Sequence, residues 1–307
     1  MHTAFISHPD TLLHVMDGQH PESPARISAI RDRLIASHLY DYLHAYDAPA
    51  ATDAQLTRVH DPAHVRHLRG IAPPAGIVRL DDDTALGPMT LTAALHAAGA
   101  VVKAVDLVMA KKVQNAFCCV RPPGHHAGKA RSSGFCIFNN IAVGAAHAMA
   151  IHGIERVAII DFDAHHGDGT EEIFRDDPRV MLCSTFQHPA YPHKGADSRT
   201  ERMINVPMPA GANGQVFRAA VSNEFAPALE KFAPQMVFVS AGFDAHAQDP
   251  LTELRLVRDD YIWVTEFILQ VAHKHAGDRV VSALEGGYDL PALADSAQAH
   301  IKTLSGL

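Results

Sequence analysis

No block of lysine or arginine occurs anywhere in the 307 residues, and 26 basic side chains face 34 acidic ones for a formal net charge of −8. A surface of that kind is poorly suited to phosphate backbones or anionic bilayers, so neither nucleic acid nor membrane is an expected partner. Cysteine is scarce as well. The four present, Cys118, Cys119, Cys136 and Cys183, sit in or beside apolar runs without metal-finger spacing. They read as reduced core thiols in a reducing compartment, Cys136 included, and not as a disulfide frame. Long hydrophobic runs are lacking too: none approaches roughly 18 residues, and Met1-His2-Thr3-Ala4 opens no basic-then-apolar leader, so a cytoplasmic protein is expected. Repeats, low-complexity tracts and interdomain linkers are also absent. A hydrophobic content of 47% is ample for one large domain over residues 1–307, and nothing in the sequence sets its oligomeric state.

Histidine, by contrast, is plentiful at 22 residues, so a lone one says little, and His8, His14, His20, His96, His188, His193, His246 and His273 receive no role. The densest polar cluster is Asp161-Phe162-Asp163-Ala164-His165-His166-Gly167-Asp168-Gly169, three carboxylates and two imidazoles in nine residues. Val157-Ala158-Ile159-Ile160 before it is apolar and β-branched, a strand buried on both faces that delivers these acids to its C-terminal end. If extended backbone persists through His165, alternation puts Asp161, Asp163 and His165 on one face. Mixed nitrogen and oxygen donors suit zinc, with iron or cobalt as competitors, and a catalytic zinc takes three protein ligands plus an open position. One further carboxylate would complete the set.

Strands are expected at Ala4–Ile6, Leu43–Tyr46, Ala116–Val120, Val180–Phe186, Ile204–Val206, Met236–Ser240 and Val280–Leu284. Helices are expected at Arg26–His38 (Ser23 as N-cap, Pro24 at the first helical position), Thr90–Ala110, Asn140–His152, Gln215–Phe232, Arg258–His275 and Pro291–Leu304. A His-rich loop fills Ser7 to Pro24. The acidic, proline-bearing connection from Pro73 to Pro88, with Asp81-Asp82-Asp83, is long enough to suggest a wall of a binding site. Alternating strands and helices predict an α/β fold, a central parallel sheet with helices on both faces. Ligands of such sheets bind at the carboxyl ends of the strands. His125-His126, Asp161 to Asp168, Asp244 and Tyr288 each follow an apolar run directly, so independent segments converge on one rim.

Arg121-Pro-Pro-Gly-His-His126, Gly134-Phe135-Cys136 with Asn139, the Asp161–Gly169 stretch, Ser240-Ala-Gly-Phe-Asp244 and Glu285-Gly-Gly-Tyr288 together resemble the zinc-dependent histone deacetylase family. The likeness is to its class II branch, with bacterial deacetylase-like amidohydrolases and acetylpolyamine amidohydrolases as relatives. His20-Pro-Glu-Ser-Pro-Ala-Arg26 looks like that branch's first loop. The resemblance implies a single-domain arginase/deacetylase-like fold and a deacylase acting on acyl-lysine or similar acylated amines. It implies zinc on Asp163, His165 and Asp244, the last supplying the missing carboxylate. His125 and His126 would be tandem proton-handling histidines backed by Asp161 and Asp168, His126 moving the proton and His125 staying electrostatic, and Tyr288 would donate to the substrate carbonyl. Phe135, Gly134, Tyr191 and Leu251 would line the acyl tunnel.

The same resemblance implies potassium beside the zinc, at Asp161, Asp163, His165, Ser184 and Thr185, and a remoter potassium at carbonyls near Phe174, Asp177 and Val180. A polyamine-selective relative carries Glu where this chain has Leu251, which points to acyl-lysine in preference to acetylpolyamines unless the Asp81–Asp83 loop supplies a carboxylate. Competing classes are a binuclear manganese ureohydrolase, since arginases share the sheet and the D-x-H ligation, and a silent binding module. Gly124-His-His-Ala-Gly128-Lys129 falls one residue short of a phosphate loop. Asp244-Ala245-His246 is not taken as a second metal pair, and Asp249-Pro250 reads as a turn.

Overall fold

The computed structural model describes every residue except Met1, Asp17 and Gln19, so the parts of the expected N-terminus and His-rich loop at those positions lie outside the described residues. Among the described residues there are ten strands: β1 (Thr3–Ser7), β2 (His44–Asp47), β3 (Val78–Arg79), β4 (Ala85–Leu86), β5 (Asn115–Cys118), β6 (Val157–Asp161), β7 (Val180–Gln187), β8 (Met203–Met208), β9 (Met236–Ala241) and β10 (Val280–Leu284). Eight of them form one sheet in the order β2-β1-β5-β10-β9-β6-β7-β8, every pair parallel. β3 and β4 make a small antiparallel pair inside the Pro73–Pro88 connection.

Period-two alternation sorts each strand between two cores. Val157 and Ile159 of β6 join Met236 and Phe238 of β9 on one face, under helices Thr90–Met109 and Asn140–His152. Ala158, Ile160, Val237 and Val239 join the other, under helices Ala25–Ala36, Arg258–His275 and Leu290–Ser305. Truncating a ring such as Phe238, fully buried, to alanine costs about 3–5 kcal/mol in such a core. Among the described residues one helix, Thr90–Met109, is long and apolar enough to cross a membrane by length and composition. Lys103 and Asp106 interrupt its apolar run, which is why no such segment was expected, and most of it is buried in the fold.

Chain order and spatial order differ in the middle of the sheet. The last two strands, β9 and β10, insert between β5 and β6, so the C-terminal ends of β5, β10, β9 and β6 are four neighbours. Asp161 stands in register with Ser240, and Leu284 with Ala241. Loops that are far apart in sequence therefore open onto one stretch of rim.

Several short elements differ from expectation. Helix Ala25–Ala36 starts with Pro24 at the cap position and no side-chain cap, so Ser23 does not cap it. A 3-10 turn at Pro9–Leu13 and helices Asp53–Leu56, Pro62–Ile71 and Asp168–Phe174 were not expected. Three of them are too short for periodicity to register and have only local signals, such as the Thr52/Gln55 capping box, whereas Pro62–Ile71 spans ten residues, follows Asp61 as its cap and buries Val65 and Leu68. The single rod expected over Gln215–Phe232 is two helices, Gly214–Ala220 and Ala226–Phe232, joined by a π turn at Val221–Phe225. Pro227 has no N–H to continue a regular ladder there.

Candidate active site

The ladder of β6 stops at Asp161, so the extended backbone expected through His165 does not form. Side chains fold the segment instead. Asp161 Oδ1 accepts the Asp163 N–H at 3.1 Å, and Asp163 Oδ1 accepts the His165 N–H at 2.8 Å. These turns send Asp163 and His165 toward Asp244, and Asp161 is left to a different partner. His165 Nδ1 lies 2.9 Å from Asp244 Oδ2 and 3.1 Å from Asp163 Oδ1. Backbone donors fix both acids: Ala164 N–H to Asp244 Oδ1 at 2.9 Å and Gly286 N–H to Asp163 Oδ2 at 2.8 Å. A Cβ on Gly286 would stand 2.2 Å from Asp244 Oδ2, so only glycine allows the Tyr288 loop to pass so close.

The electrostatics of this trio call for a cation. Burial and the adjacent Asp163 push the Asp244 carboxyl up to about 7. Burial would lower His165, but Asp163 and Asp244 raise it to about 10. Two buried carboxylates and an imidazole, with donor atoms all within 4.8 Å of one another, fit a divalent metal with mixed nitrogen and oxygen ligation.

Behind the trio stand the tandem histidines, with rings 4.1 Å apart. His125 Nδ1 is 3.0 Å from Asp161 Oδ2. Burial opposes its protonation, but the carboxylates of Asp163, Asp161 and Glu285 hold its pKa well above the ordinary value. His126 Nδ1 is 2.9 Å from Asp168 Oδ1. Burial and the neighbouring His125 bring His126 down to about 3, and Asp168 only partly offsets them. Asp168 also receives Arg131 Nη2 at 2.9 Å and Lys194 Nζ at 3.1 Å, so its charge is shared. An Nδ1–H donated to that carboxylate leaves the His126 Nε2 lone pair free.

Tyr288, His125, His126, His165, Gly134, Phe135, Tyr191, Leu251, Gly286, Pro123 and Asp83 line one cavity of about 210 Å³. Phe135 packs edge-on against Tyr288 and Tyr191 edge-on against His126, with ring centroids 5.9 and 5.0 Å apart. Gly134 has φ +56°, and a Cβ there would meet the His126 ring at 2.5 Å. Phe135 N–H is held by Thr84 Oγ1 at 3.0 Å, which makes the Pro73–Pro88 segment a wall of the cavity.

Comparison with known proteins agrees with this geometry. The family model "Histone deacetylase domain" matches residues 20–304. The chain belongs to the histone deacetylase family. It is 38% identical over 297 residues to the histone deacetylase-like amidohydrolase of Pseudomonas aeruginosa, covering 94% of this chain and 77% of that one. It is 35% identical to the human polyamine deacetylase, covering all of this chain and 48% of that one. Its fold superposes on the crystal structure of the HDA15 HD domain with a TM-score of 0.92 at 32% identity, over 99% of this chain and 88% of that one. The chain therefore has the family's mostly parallel sheet flanked by helices. Of three His/carboxylate groups close enough to share an ion among the described residues, one includes a residue lining the cavity, whereas a binuclear ureohydrolase site needs two metals.

The residues expected around potassium divide. Asp161 and Ser184 are register partners on β6 and β7, both buried, and Asp163 and His165 follow on the turn after β6; this acidic strand end fits a monovalent cation. The remoter set, Phe174, Asp177 and Val180, does not. Arg202 Nη1 already donates to the Asp177 carbonyl at 2.6 Å and faces the Val180 carbonyl at 3.5 Å.

Sequence reasoning missed the scaffold beneath Tyr288. Arg26 Nε donates to the Gly287 carbonyl at 2.6 Å, Arg26 Nη2 to the Glu285 carbonyl at 2.5 Å, and its guanidinium lies 4.9 Å from the Tyr288 ring centroid. Glu22 is wholly buried between Arg26 and Arg121, at 3.1 and 2.5 Å. Burial would raise Glu22, but Arg121, His14 and Arg26 hold it well below the usual carboxylate range. Asp249 closes its own turn on Leu251 N–H and also accepts Tyr288 N–H at 2.7 Å. Glu285 Oε2 accepts the N–H groups of Gly124 and His125 at 2.6 and 3.1 Å. Glu285 ends an apolar strand, so the rule that singled out Asp161 would have found it. Arg121 and Asp249 carry no comparable mark.

Proposed function

We propose that the protein is a zinc-dependent deacylase that hydrolyses the amide of an acetylated or similarly acylated lysine or alkylamine. One observation carries the reading: the ring of His126, whose Nδ1 faces Asp168, shares a cavity of about 210 Å³ with His165 of the metal-fitting trio and with Tyr288. Zinc held by that trio supplies Lewis acidity, lowering the pKa of water from 15.7 to about 7 and polarising a carbonyl. His126 Nε2 takes a proton from the attacking water as its oxygen bonds to the acyl carbon. Tyr288 donates its O–H to the oxygen that becomes the oxyanion. His126 then returns the proton to the amine nitrogen as the C–N bond breaks, leaving a carboxylate and a free amine. His125, whose protonated form is favoured by the carboxylates of Asp163, Asp161 and Glu285, contributes charge without moving a proton. Phe135 and Tyr191 favour an unbranched alkyl stem and exclude bulk water. A monovalent cation beside Asp161 belongs to the same proposal.

Two substrate classes compete. Leu251, 43% exposed at the cavity, gives an ammonium no anchor and favours acyl-lysine. Asp83 favours a cationic polyamine, because it lines the same cavity, while Asp81 is turned onto the N–H groups of Asp83 and Thr84. Acyl-lysine is our conclusion, since Leu251 is apolar where an ammonium would need an anchor and Asp83 Oδ1 already accepts the Thr84 hydroxyl at 3.2 Å. A kinetic panel decides it. Higher kcat/KM on an acetyl-lysine peptide than on acetylated putrescine, cadaverine and spermidine supports the reading, and the reverse order assigns the gate to Asp83.

A further inference from the structure

We infer that the guanidinium of Arg202 is a built-in cation that fills the carbonyl cluster at Phe174, Asp177 and Val180, so that this cluster takes no potassium from solution. Helix Asp168–Phe174 ends here and leaves carbonyls without intrahelical partners. Phe174 O accepts Asp177 N–H at 3.0 Å and Asp177 O accepts Val180 N–H at 3.2 Å, which folds the turn into β7 and gathers the oxygens. Into this turn the side chain of Arg202 reaches from just before the edge strand β8. Its Nη1 bonds Asp177 O and faces Val180 O, and its Nη2 bonds Arg175 O at 3.2 Å.

The arginine is placed by its backbone: its carbonyl accepts Leu182 N–H at 2.8 Å and its own N–H donates to Thr200 Oγ1 at 3.2 Å. A guanidinium is always charged and offers a planar fork of donors without an acceptor. A potassium ion on the Asp177 carbonyl would have to share that oxygen with a guanidinium nitrogen 2.6 Å away, and two positive charges at such range repel. Two of the neighbouring carboxylates are already engaged. The Asp177 carboxylate is taken by Arg179 at 2.7 Å, and Glu171 pairs with Arg175 and lies 2.5 Å from His166.

The placement matters for the catalytic residues at the other end of the same helix. Asp168, at its first turn, backs His126, while Arg202 ties the carbonyl of Arg175, just beyond its last residue, to the edge of the sheet. In this chain that tie is covalently supplied and independent of salt composition.

The test uses the full-length, zinc-loaded protein and does not depend on activity. Crystals of wild type, Arg202→Lys and Arg202→Ala are soaked in thallium(I), and anomalous peaks are located. Melting temperatures of all three are compared in potassium chloride and choline chloride at equal ionic strength. Wild type and Arg202→Lys should show no thallium among the Phe174, Asp177 and Val180 carbonyls. Arg202→Ala should gain a peak there, with its Tm higher by about 3 °C in potassium than in choline beyond any difference wild type shows. A thallium peak on those carbonyls in wild type, with Arg202 displaced, overturns the inference. So does an Arg202→Ala protein that binds no thallium there and gains no potassium dependence, for then Arg202 is only a helix-end cap. Should Arg202→Ala fail to fold, the wild-type and Arg202→Lys maps decide alone.

Discussion

His125 and His126 are adjacent imidazoles that receive opposite charge states from what stands behind them. Asp161 is unshared by any other side-chain donor among the described residues and helps hold His125 cationic, whereas Asp168 is shared with Arg131 and Lys194 and leaves His126 neutral. His126→Ala should therefore cost more in kcat than His125→Ala, by about 10-fold or more if general-base catalysis is worth 10²–10⁴. The opposite order in side-by-side assays would mean the roles are exchanged. Tyr288→Phe should keep zinc and fold while kcat falls about 10²–10³-fold, the usual loss on removing one oxyanion donor; near-wild-type turnover on an acetyl-lysine peptide would remove Tyr288 from the mechanism. At this scale the sequence was informative where a polar side chain ends or closely follows an apolar strand, as at Asp161, Asp244 and Tyr288. It was silent on buried groups that act through a backbone, such as Asp249 on the Tyr288 N–H or Arg26 on the Gly287 carbonyl. Such roles exist only after folding and need no particular neighbours in the chain.

Among elements, the loop after β10 does the closest work, passing between Asp163 and Asp244 with room for no side-chain atom at Gly286. Gly286→Ala should therefore push Asp244 Oδ2 aside and lower zinc occupancy after dialysis, with folding largely kept. Full zinc content in that variant, measured by elemental analysis, would show that the loop can yield. Long helices such as Arg258–His275 and apolar strands such as β6 were legible because periodicity accumulates over many residues. Helix Asp168–Phe174 was not, because seven residues with Asp, Gly and Thr at their start look like a loop. The insertion of β9 and β10 between β5 and β6 was equally hidden, since local sequence does not encode strand order. Alternation through His165 failed because Asp161 and Asp163 bond the backbone just ahead of them, a competition between side chain and ladder.

Over the whole molecule, buried neutral histidines set the response to acid. His300 lies between Thr265 Oγ1 at 2.6 Å and Ser282 Oγ at 2.9 Å, and burial lowers it to about 3. His60, which holds Gly128 O and Asn139 N–H, is lowered by burial to about 4. Each protonates more readily in the unfolded chain than in the native one, so their share of stability is full above pH 6.5 and is lost as pH falls toward the native values. The slope approaches about 1.4 kcal/mol per pH unit for each group. Urea midpoints of the zinc-loaded protein should drop between pH 6.5 and pH 5, and His300→Gln should flatten the fall; an unchanged slope would mean His300 is protonated in place.

In the proposed reaction one ion at Asp163, His165 and Asp244 drives amide hydrolysis. The most direct measurement is hydrolysis of an acetyl-lysine peptide by protein stripped of metal, then titrated with zinc while bound metal is counted. The account predicts loss of turnover on stripping and recovery that saturates at one zinc per chain, with Asp244→Ala failing to recover. Turnover that survives complete removal of metal, or that returns only when two ions are bound, would contradict it.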